Sequence, residues 1–323
     1  MNLQLHPLMI GYKYYYTTLS QKQKQVYIDL YKALCTYKKT AITSKIDNLT
    51  EIIEMIVADN PLIFFFREYK YTRFSNKTIV TFEYLVSPEE TMKLIEKLYQ
   101  RIKDITEQTK GESDFEKELY FHDFFANNVS YNNKFPKYSF MAIGALLYGS
   151  AVCSGISSAF KLLCDCAKIP CVVVHGESNN EAHAWNKVYI QNGFYNVDAT
   201  YDTTLSDSDN IRYDYFNVPD AWLIAERKET TPSMQCNFTE YNYHIKNKIY
   251  FDNKKQLESY IFKKIPMAKY LNIRIDISLF EKNMEDEIEK LIKKAHQKAY
   301  RFLSYSYSFN KDQGIYIYER KES

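Results

Sequence analysis

The sequence predicts an α/β (α+β) fold in which short helices and strands follow one another in mixed order. Three observations support this prediction. Apolar residues recur at helical spacing in several segments, and runs rich in β-branched and aromatic residues lie between those segments. The 323 residues are 46% hydrophobic and 25% charged, which is the balance of a globular protein with a core rather than of a disordered chain.

The first 112 residues predict helices that alternate with strands. Helical patterns cover residues 20–37, 47–58 and 88–109, and β-rich runs cover 40–46, 62–71 and 78–86. Ser87 followed by Pro88 is a strong helix start, because serine caps free N–H groups and proline fits the first turn. We therefore expect an N-terminal helical or α+β unit over residues 1–112.

The C-terminal part predicts a second small α+β unit over residues 248–323. The pattern indicates a strand at 248–251, a helix at 254–264, a strand at 270–277, an amphipathic helix from Phe280 to Phe302 and a final hairpin. We expect no chemistry of its own in this unit. Between it and a central unit at 113–204, residues 205–247 show weak patterning and form a predicted connecting segment.

Charge and hydropathy argue against several classes of protein. Lys and Arg number 42 against 40 Asp and Glu, so the net charge of +2 does not suggest a nucleic-acid binder with a large basic surface. No apolar run approaches the ~18 to 20 residues of a membrane helix, and the N-terminus lacks the pattern of a secretory signal. We expect a cytoplasmic protein, although a chain whose leader had been removed would show the same pattern.

The six cysteines are scattered in a chain long enough to fold without disulfides, which favours free thiols in a reducing compartment. Cys164, Cys166 and Cys171 raise the hypothesis of a zinc site with His175. Cys164 and Cys166 would, however, point about 200° apart on a helix, so they could not easily hold one ion. We therefore expect structural cysteines here and neither a metal nor an organic cofactor.

Cys153 differs from the other cysteines because small residues surround it in Gly149–Phe160. The pattern predicts that Cys153 lies at or just before the first turn of a helix that runs to about Lys168. A helix N-terminus presents free N–H groups and a partial positive charge, which favour thiolate over thiol. The sequence thus predicts a reactive sulfur, and the alternative is a small buried side chain.

A nucleophilic cysteine needs a base, and the base needs a third group that orients it. His183 lies on a predicted strand that returns through a turn at residues 191–193, and hairpin parity places His183 and Asp198 on the same face. One register puts Asp202 opposite His183, whereas another puts Asp198 opposite Trp185, one pair away. Spacing alone leaves Asp198 and Asp202 both open as partners.

Three ordered motifs carry a resemblance to a known family. They are Ala151-Val152-Cys153-Ser154-Gly155, His183-Ala184-Trp185-Asn186 and Val197-Asp198-Ala199-Thr200-Tyr201-Asp202. Together with looser similarity around His122-Asp123 and Ala142 to Leu147, they resemble the transglutaminase-like (transglutaminase core) superfamily, in its bacterial branch. The resemblance covers about residues 115–204.

The resemblance implies a papain-like thiol-enzyme fold, with a transglutaminase-core catalytic domain over residues 113–204. It implies Cys153 as nucleophile, His183 as general base and acid, and Asp198 as the group that orients His183. It thereby favours Asp198 over Asp202. The residues expected to bind substrate or to border the site are Trp185, Gly155, Tyr201 and Asp202, with Trp185 mainly as a buried shield.

We therefore predict a cysteine-dependent enzyme that acts on amide bonds of a protein or peptide substrate through a thioester. Hydrolysis ranks before transamidation, because no residues form a recognisable amine-acceptor site. The alternative from another class is a non-catalytic module that binds peptide or polysaccharide in the same cleft. An intact Cys, His and Asp set argues against that alternative, and most of the 30 tyrosines are predicted to serve packing.

Overall fold

Helices and short sheets alternate along the chain, which confirms the predicted α/β class. The computed structural model describes residues 11–207, 210–223, 225–230, 233–280, 283–299 and 304–321. Within these residues, no helix is both long enough and apolar enough to cross a bilayer.

The N-terminal part packs helices against a three-stranded antiparallel sheet in which β3 lies between β1 and β2. Its elements are α1 (Tyr14–Thr18), α2 (Gln21–Cys35), β1 (Thr40–Ser44), α3 (Leu49–Asp59), β2 (Phe66–Arg73), β3 (Lys77–Tyr84) and α4 (Pro88–Glu107). α4 starts as predicted, since the Ser87 hydroxyl accepts a hydrogen bond from the Glu90 N–H at 3.2 Å.

The central part packs helices on a five-stranded antiparallel sheet with the order β10-β6-β7-β8-β9. Its helices are α5 (Asp114–Asn128), α6 (Ala142–Tyr148), α7 (Cys153–Cys166) and α8 (Ala199–Leu205). Its strands are β4 (Ser130–Tyr131), β5 (Ser150–Ala151), β6 (Cys171–Ser178), β7 (Glu181–Ile190), β8 (Gly193–Val197), β9 (Phe216–Val218) and β10 (Arg227–Glu229).

The hairpin of β7 and β8 has one of the two registers that the sequence allowed. Ile190 pairs with Gly193 and Asn186 pairs with Val197, so the next residue, Asp198, comes opposite Trp185. The chain then enters α8 at Ala199 instead of continuing as a strand. This early helix start decides where the two aspartates of the motif point.

The C-terminal part has a four-stranded sheet, ordered β11-β12-β14-β13, and two longer helices. Its elements are α9 (Tyr243–Lys246), β11 (Tyr250–Phe251), α10 (Lys254–Lys264), β12 (Tyr270–Ile275), α11 (Met284–Lys298), β13 (Tyr305–Asn310) and β14 (Ile315–Arg320). The predicted amphipathic helix is therefore shorter than expected. Phe280 precedes α11, and Phe302 lies outside the described residues.

Two large hydrophobic cores lie in the described part of the chain. The first joins buried residues of the N-terminal helices, such as Leu30 and Ile95, to Phe160 of α7 and Val188 of β7. The second consists of residues between 251 and 318. The first 112 residues thus share a core with the central sheet, and the boundaries of the four predicted segments stay a prediction.

Candidate active site

Cys153 is the first residue of α7 and is half-buried. The residue before it, Val152, provides no side-chain cap, so the first N–H groups of the helix are not taken up by a capping side chain. α7 is fixed against the sheet by Asn186 of β7, whose amide donates to the Ser157 carbonyl at 3.0 Å. This buried contact sets α7 beside the strand that carries His183.

His183 of β7 contacts Asp198 and lies near Cys153. Its Nε2 lies 2.6 Å from Asp198 Oδ2, and Cys153 is close enough to the ring to raise its pKa. Because Nε2 is engaged by Asp198, Nδ1 is the nitrogen available to the thiol. Burial alone would lower the pKa of His183. The Asp198 carboxylate and the nearby Cys153 raise this pKa by more than burial lowers it, to about 9. The ring is therefore protonated at neutral pH.

Asp198 is buried and is held on both oxygens. Oδ1 accepts hydrogen bonds from the Thr200 and Tyr201 N–H groups, both at 3.1 Å, and so caps α8. Oδ2 meets His183 and the Arg227 Nη1, the latter at 2.5 Å. Burial raises the pKa of Asp198, but the charges of His183 and Arg227 outweigh burial and hold this pKa far below its usual range. The carboxylate is thus ionised.

Asp202 lies elsewhere than predicted. It is fully buried, and its Oδ2 lies 3.0 Å from His122 Nε2 of α5, while its carboxylate accepts the Tyr215 N–H at 3.1 Å. The early start of α8 removes Asp202 from the strand position opposite His183. The predicted place for Asp202 at the border of the site is therefore corrected: it forms a separate buried pair with His122.

Two aromatic rings flank His183. The Trp185 ring lies nearly parallel to it with centroids 6.0 Å apart, and the Tyr201 ring lies at 4.9 Å. Trp185 is 2% exposed and donates its Nε1–H to Asn196 Oδ1, which suits a shield rather than a substrate contact. Tyr201 is half-buried, and its hydroxyl lies 3.1 Å from Ser178 Oγ. Of these two rings, Tyr201 is therefore the more exposed.

Gly155, two residues after Cys153, makes room for the backbone rather than for a substrate. A Cβ at this position would lie 2.3 Å from the Ser139 carbonyl oxygen and 3.1 Å from that of Met141. Two further hydrogen bonds join this segment to α7. The Ser139 carbonyl accepts one from the Val152 N–H, and the Phe140 carbonyl accepts one from the Ser154 hydroxyl. Gly155 therefore lets residues 139–141 form a wall next to the thiol.

Replacing Gly155 by alanine is expected to destabilise the protein. The steric overlap costs ~1 to 3 kcal/mol and exceeds the gain in helix propensity of about 1 kcal/mol. Urea unfolding of Gly155→Ala measures this cost, with Ser158→Ala of the same helix as a matched control that we expect to change little. Equal stability of the two variants would show that the wall is not packed this closely.

Two neighbours of the site lie outside the predicted set. Arg227 comes from β10, within the weakly patterned connecting segment, where a strand of three residues leaves no periodic signature. Tyr131 of β4 is 45% exposed and is placed by the pairing of β4 with β5 just before Cys153. Partial burial and, to a smaller extent, the nearby Cys153 raise the pKa of Tyr131 above its ordinary value.

No group of three or more His, Cys, Asp and Glu side chains in the described residues is arranged to hold a metal ion. Cys164 and Cys171 are buried, and His175 lies half-buried on β6. The side chains that the structure brings together near Cys153 are an imidazole, a carboxylate and a guanidinium. With the thiol, they are groups that thiol enzymes use.

Comparison with known proteins agrees with this conclusion. Residues 100–199 match the model of the Transglutaminase-like superfamily, and they include Cys153, His183 and Asp198. This segment is therefore similar to the transglutaminase-like superfamily, whose members are generally cysteine enzymes.

Two solved structures are similar to parts of the chain. One is a TGase with 18% identity and a TM-score of 0.31, covering 41% of this chain, which in turn spans 44% of that protein. The other is a candidate cysteine protease from Cytophaga hutchinsonii with 14% identity and a TM-score of 0.31, covering 54% of this chain and 80% of that protein. No curated protein matches the chain.

Proposed function

We propose that the protein is a cysteine-dependent amide hydrolase that acts on protein or peptide substrates through Cys153, His183 and Asp198. The observation that carries the proposal is the 2.6 Å contact between the His183 ring and the buried Asp198 carboxylate, with Cys153 at the start of α7 close enough to raise the pKa of that ring. A merely structural cysteine needs neither a protonated imidazole beside it nor an ionised carboxylate behind that imidazole.

In the first half of the reaction, the Cys153 thiolate attacks the carbonyl carbon of the amide and forms a C–S bond. Free N–H groups at the start of α7 face the oxygen on which negative charge develops. His183 then donates its proton to the amide nitrogen, the C–N bond breaks, and the amine leaves. A thioester on Cys153 and a neutral His183 remain.

In the second half, His183 takes a proton from water, and the hydroxide equivalent attacks the thioester carbon. The C–S bond breaks, the carboxylic acid leaves, and the thiolate and the protonated imidazole are restored. Asp198 keeps the His183 ring in one orientation throughout. An amine in place of water would give transamidation, which we rank second.

Alkylation by iodoacetamide at pH 6 to 7 tests this proposal. Cys35, Cys164, Cys171 and Cys236 are buried, whereas Cys166 is exposed and serves as the reference thiol. We expect Cys153 to be labelled at least about tenfold faster than Cys166, because only thiolates react. His183→Ala should suppress this labelling, whereas His175→Ala, a half-buried histidine of the same sheet, should not.

Labelling of Cys153 no faster than of Cys166 would contradict the enzyme and favour the binding module. The reaction itself is tested by incubating a proteome with the protein and with Cys153→Ala as control. New protein termini that need Cys153 support hydrolysis. New isopeptide links instead of termini would show that transamidation is the activity.

A further inference from the structure

Arg227 is a buried cation that reaches the proposed catalytic aspartate from the edge of the sheet. Its strand, β10, pairs with β6 so that Arg227 lies opposite Ser178. The side chain is 3% exposed, and Nη1 contacts Asp198 Oδ2 at 2.5 Å, the same oxygen that His183 contacts. His183 and Arg227 therefore share one carboxylate oxygen.

Aromatic rings enclose the guanidinium. Its central carbon lies 5.2 Å from the ring centroid of Trp185, 4.9 Å from that of Tyr201 and 5.1 Å from that of Tyr215. Within the described part of the chain, Arg227 Nε and Nη2 have no hydrogen-bond partner. Two unmet buried donors cost stability, so the placement of this arginine is not explained by stability alone.

The chain just before Arg227 is fixed from the C-terminal part. Glu226 accepts a hydrogen bond from the Tyr215 hydroxyl at 2.9 Å and another from Gln313 Nε2 at 2.7 Å. The same Gln313 amide donates to the Trp222 carbonyl at 2.9 Å. The backbone next to Arg227 is thus held in one place by contacts that do not involve Asp198.

Asp198 is likewise held without Arg227. Its Oδ1 accepts the Thr200 and Tyr201 N–H groups, which belong to the start of α8. Removing the guanidinium therefore leaves the carboxylate in position against His183. What changes is the charge that His183 experiences.

We propose that Arg227 is a positioning residue that acts through Asp198: it takes up part of the carboxylate charge, so that His183 gives its proton to the leaving amine instead of retaining it. This inference rests on the proposed hydrolysis. Without Arg227, the whole carboxylate charge would stabilise the imidazolium, and proton donation in the first half of the reaction would slow.

The groups that face His183 determine whether its pKa rises or falls when Arg227 is replaced. These are Asp198 before α8, Cys153 from α7, Tyr201 from α8 and Arg227 from β10. Burial lowers the pKa of His183, Asp198 and Cys153 raise it, and Arg227 lowers it. Loss of the arginine charge should therefore raise the pKa of His183 above its wild-type value, whereas loss of Asp198 should lower it towards about 6.5.

Titration of His183 by NMR tests the inference. The protein carries six histidines, and the His183 ring signal is assigned with His183→Ala. The Cys153→Ala background keeps ionisation of the thiol out of the curve. In that background we expect Arg227→Gln to raise the pKa of His183 by about 0.5 to 1 pH unit, and Lys228→Gln, an exposed charge on the same strand, to leave it unchanged.

A lower or unchanged pKa of His183 in Arg227→Gln would overturn the inference. With Cys153 restored, Arg227→Gln should keep alkylation of Cys153 within about threefold while release of new termini falls at least about tenfold. If Arg227→Gln lowered the alkylation rate and the release of termini by the same factor, Arg227 would have a structural role only. Failure of wild-type Cys153 to label would instead refute the hydrolase itself, whatever the titration shows.

Arg227→Lys provides the decisive variant if Arg227→Gln does not fold. Lysine keeps the positive charge but lacks the rigid fork of a guanidinium. We expect the pKa of His183 to stay within about 0.3 pH unit of its parent, because the charge near Asp198 remains. A pKa that falls towards about 6.5 in Arg227→Lys would show that the arginine only holds Asp198 in place, and the inference would be wrong.

Discussion

Replacement of Asp198 by asparagine is expected to slow substrate turnover by roughly 10³- to 10⁴-fold while the protein stays folded. An amide carries no charge to stabilise the protonated His183, and in a Ser-His-Asp triad the same change lowers kcat by about 10⁴-fold. Asparagine caps helices about as well as aspartate, so the bonds to Thr200 and Tyr201 are kept, while loss of the charge beside the buried Arg227 lowers the free energy of unfolding by about 3 to 5 kcal/mol. Release of new termini from a proteome measures the loss.

Asp202→Asn is the matched control for Asp198→Asn. Asp202 lies four residues further along the same helix, is equally buried, and pairs with a different histidine, His122. We expect this variant to lower the free energy of unfolding but to keep Cys153 alkylation within a few-fold of wild type. If Asp202→Asn abolished turnover and Asp198→Asn did not, the assignment of the orienting carboxylate would be reversed.

The replacement of Lys161 by methionine is expected to have a large effect on stability. Lys161 lies on α7 and is fully buried, and its Nζ donates to the carbonyls of Tyr12 and Cys171 at 2.8 Å and to Asp165 Oδ1 at 3.0 Å. Methionine would leave the Asp165 carboxylate buried without its cation. Breaking a buried ion pair in this way costs about 3 to 5 kcal/mol.

Urea unfolding of Lys161→Met measures this cost, and Lys97→Met, an exposed lysine of α4, is the control. Because the cost arises from the unpaired Asp165, the double variant Lys161→Met/Asp165→Asn should be less destabilised than the two single changes added together. Additive effects would mean that the two side chains do not interact, and a loss as small as that of Lys97→Met would refute the buried pair.

Much of the site could be predicted from local sequence. Cys153 begins α7 where the small residues predicted it, and the turn after Ile190 restricted the hairpin to two registers, of which the structure has the one that brings Asp198 near His183. These features depend on neighbours in sequence. Hydrophobic spacing and turn residues are therefore enough to specify them.

The rest depends on contacts between distant residues. Arg227 contacts Asp198, which lies 29 positions earlier in the sequence. Its strand has three residues, too few to show an alternating hydrophobic pattern. The correct place of Asp202 required the recognition that Asp198 caps a helix. Aspartate before a helical turn is a common N-cap, and this signal was present in the sequence, but the strand pattern before it suggested continuation.

The double use of the Asp198 carboxylate limits which residues can occupy this position. One oxygen starts α8 and the other faces His183. Asparagine would keep the cap and lose the charge, whereas glutamate would keep the charge on a longer side chain that is not among the preferred N-caps. Neither asparagine nor glutamate can both cap α8 and place a charge against His183. We therefore expect a functional variant with another residue at position 198 to need further changes at the start of α8.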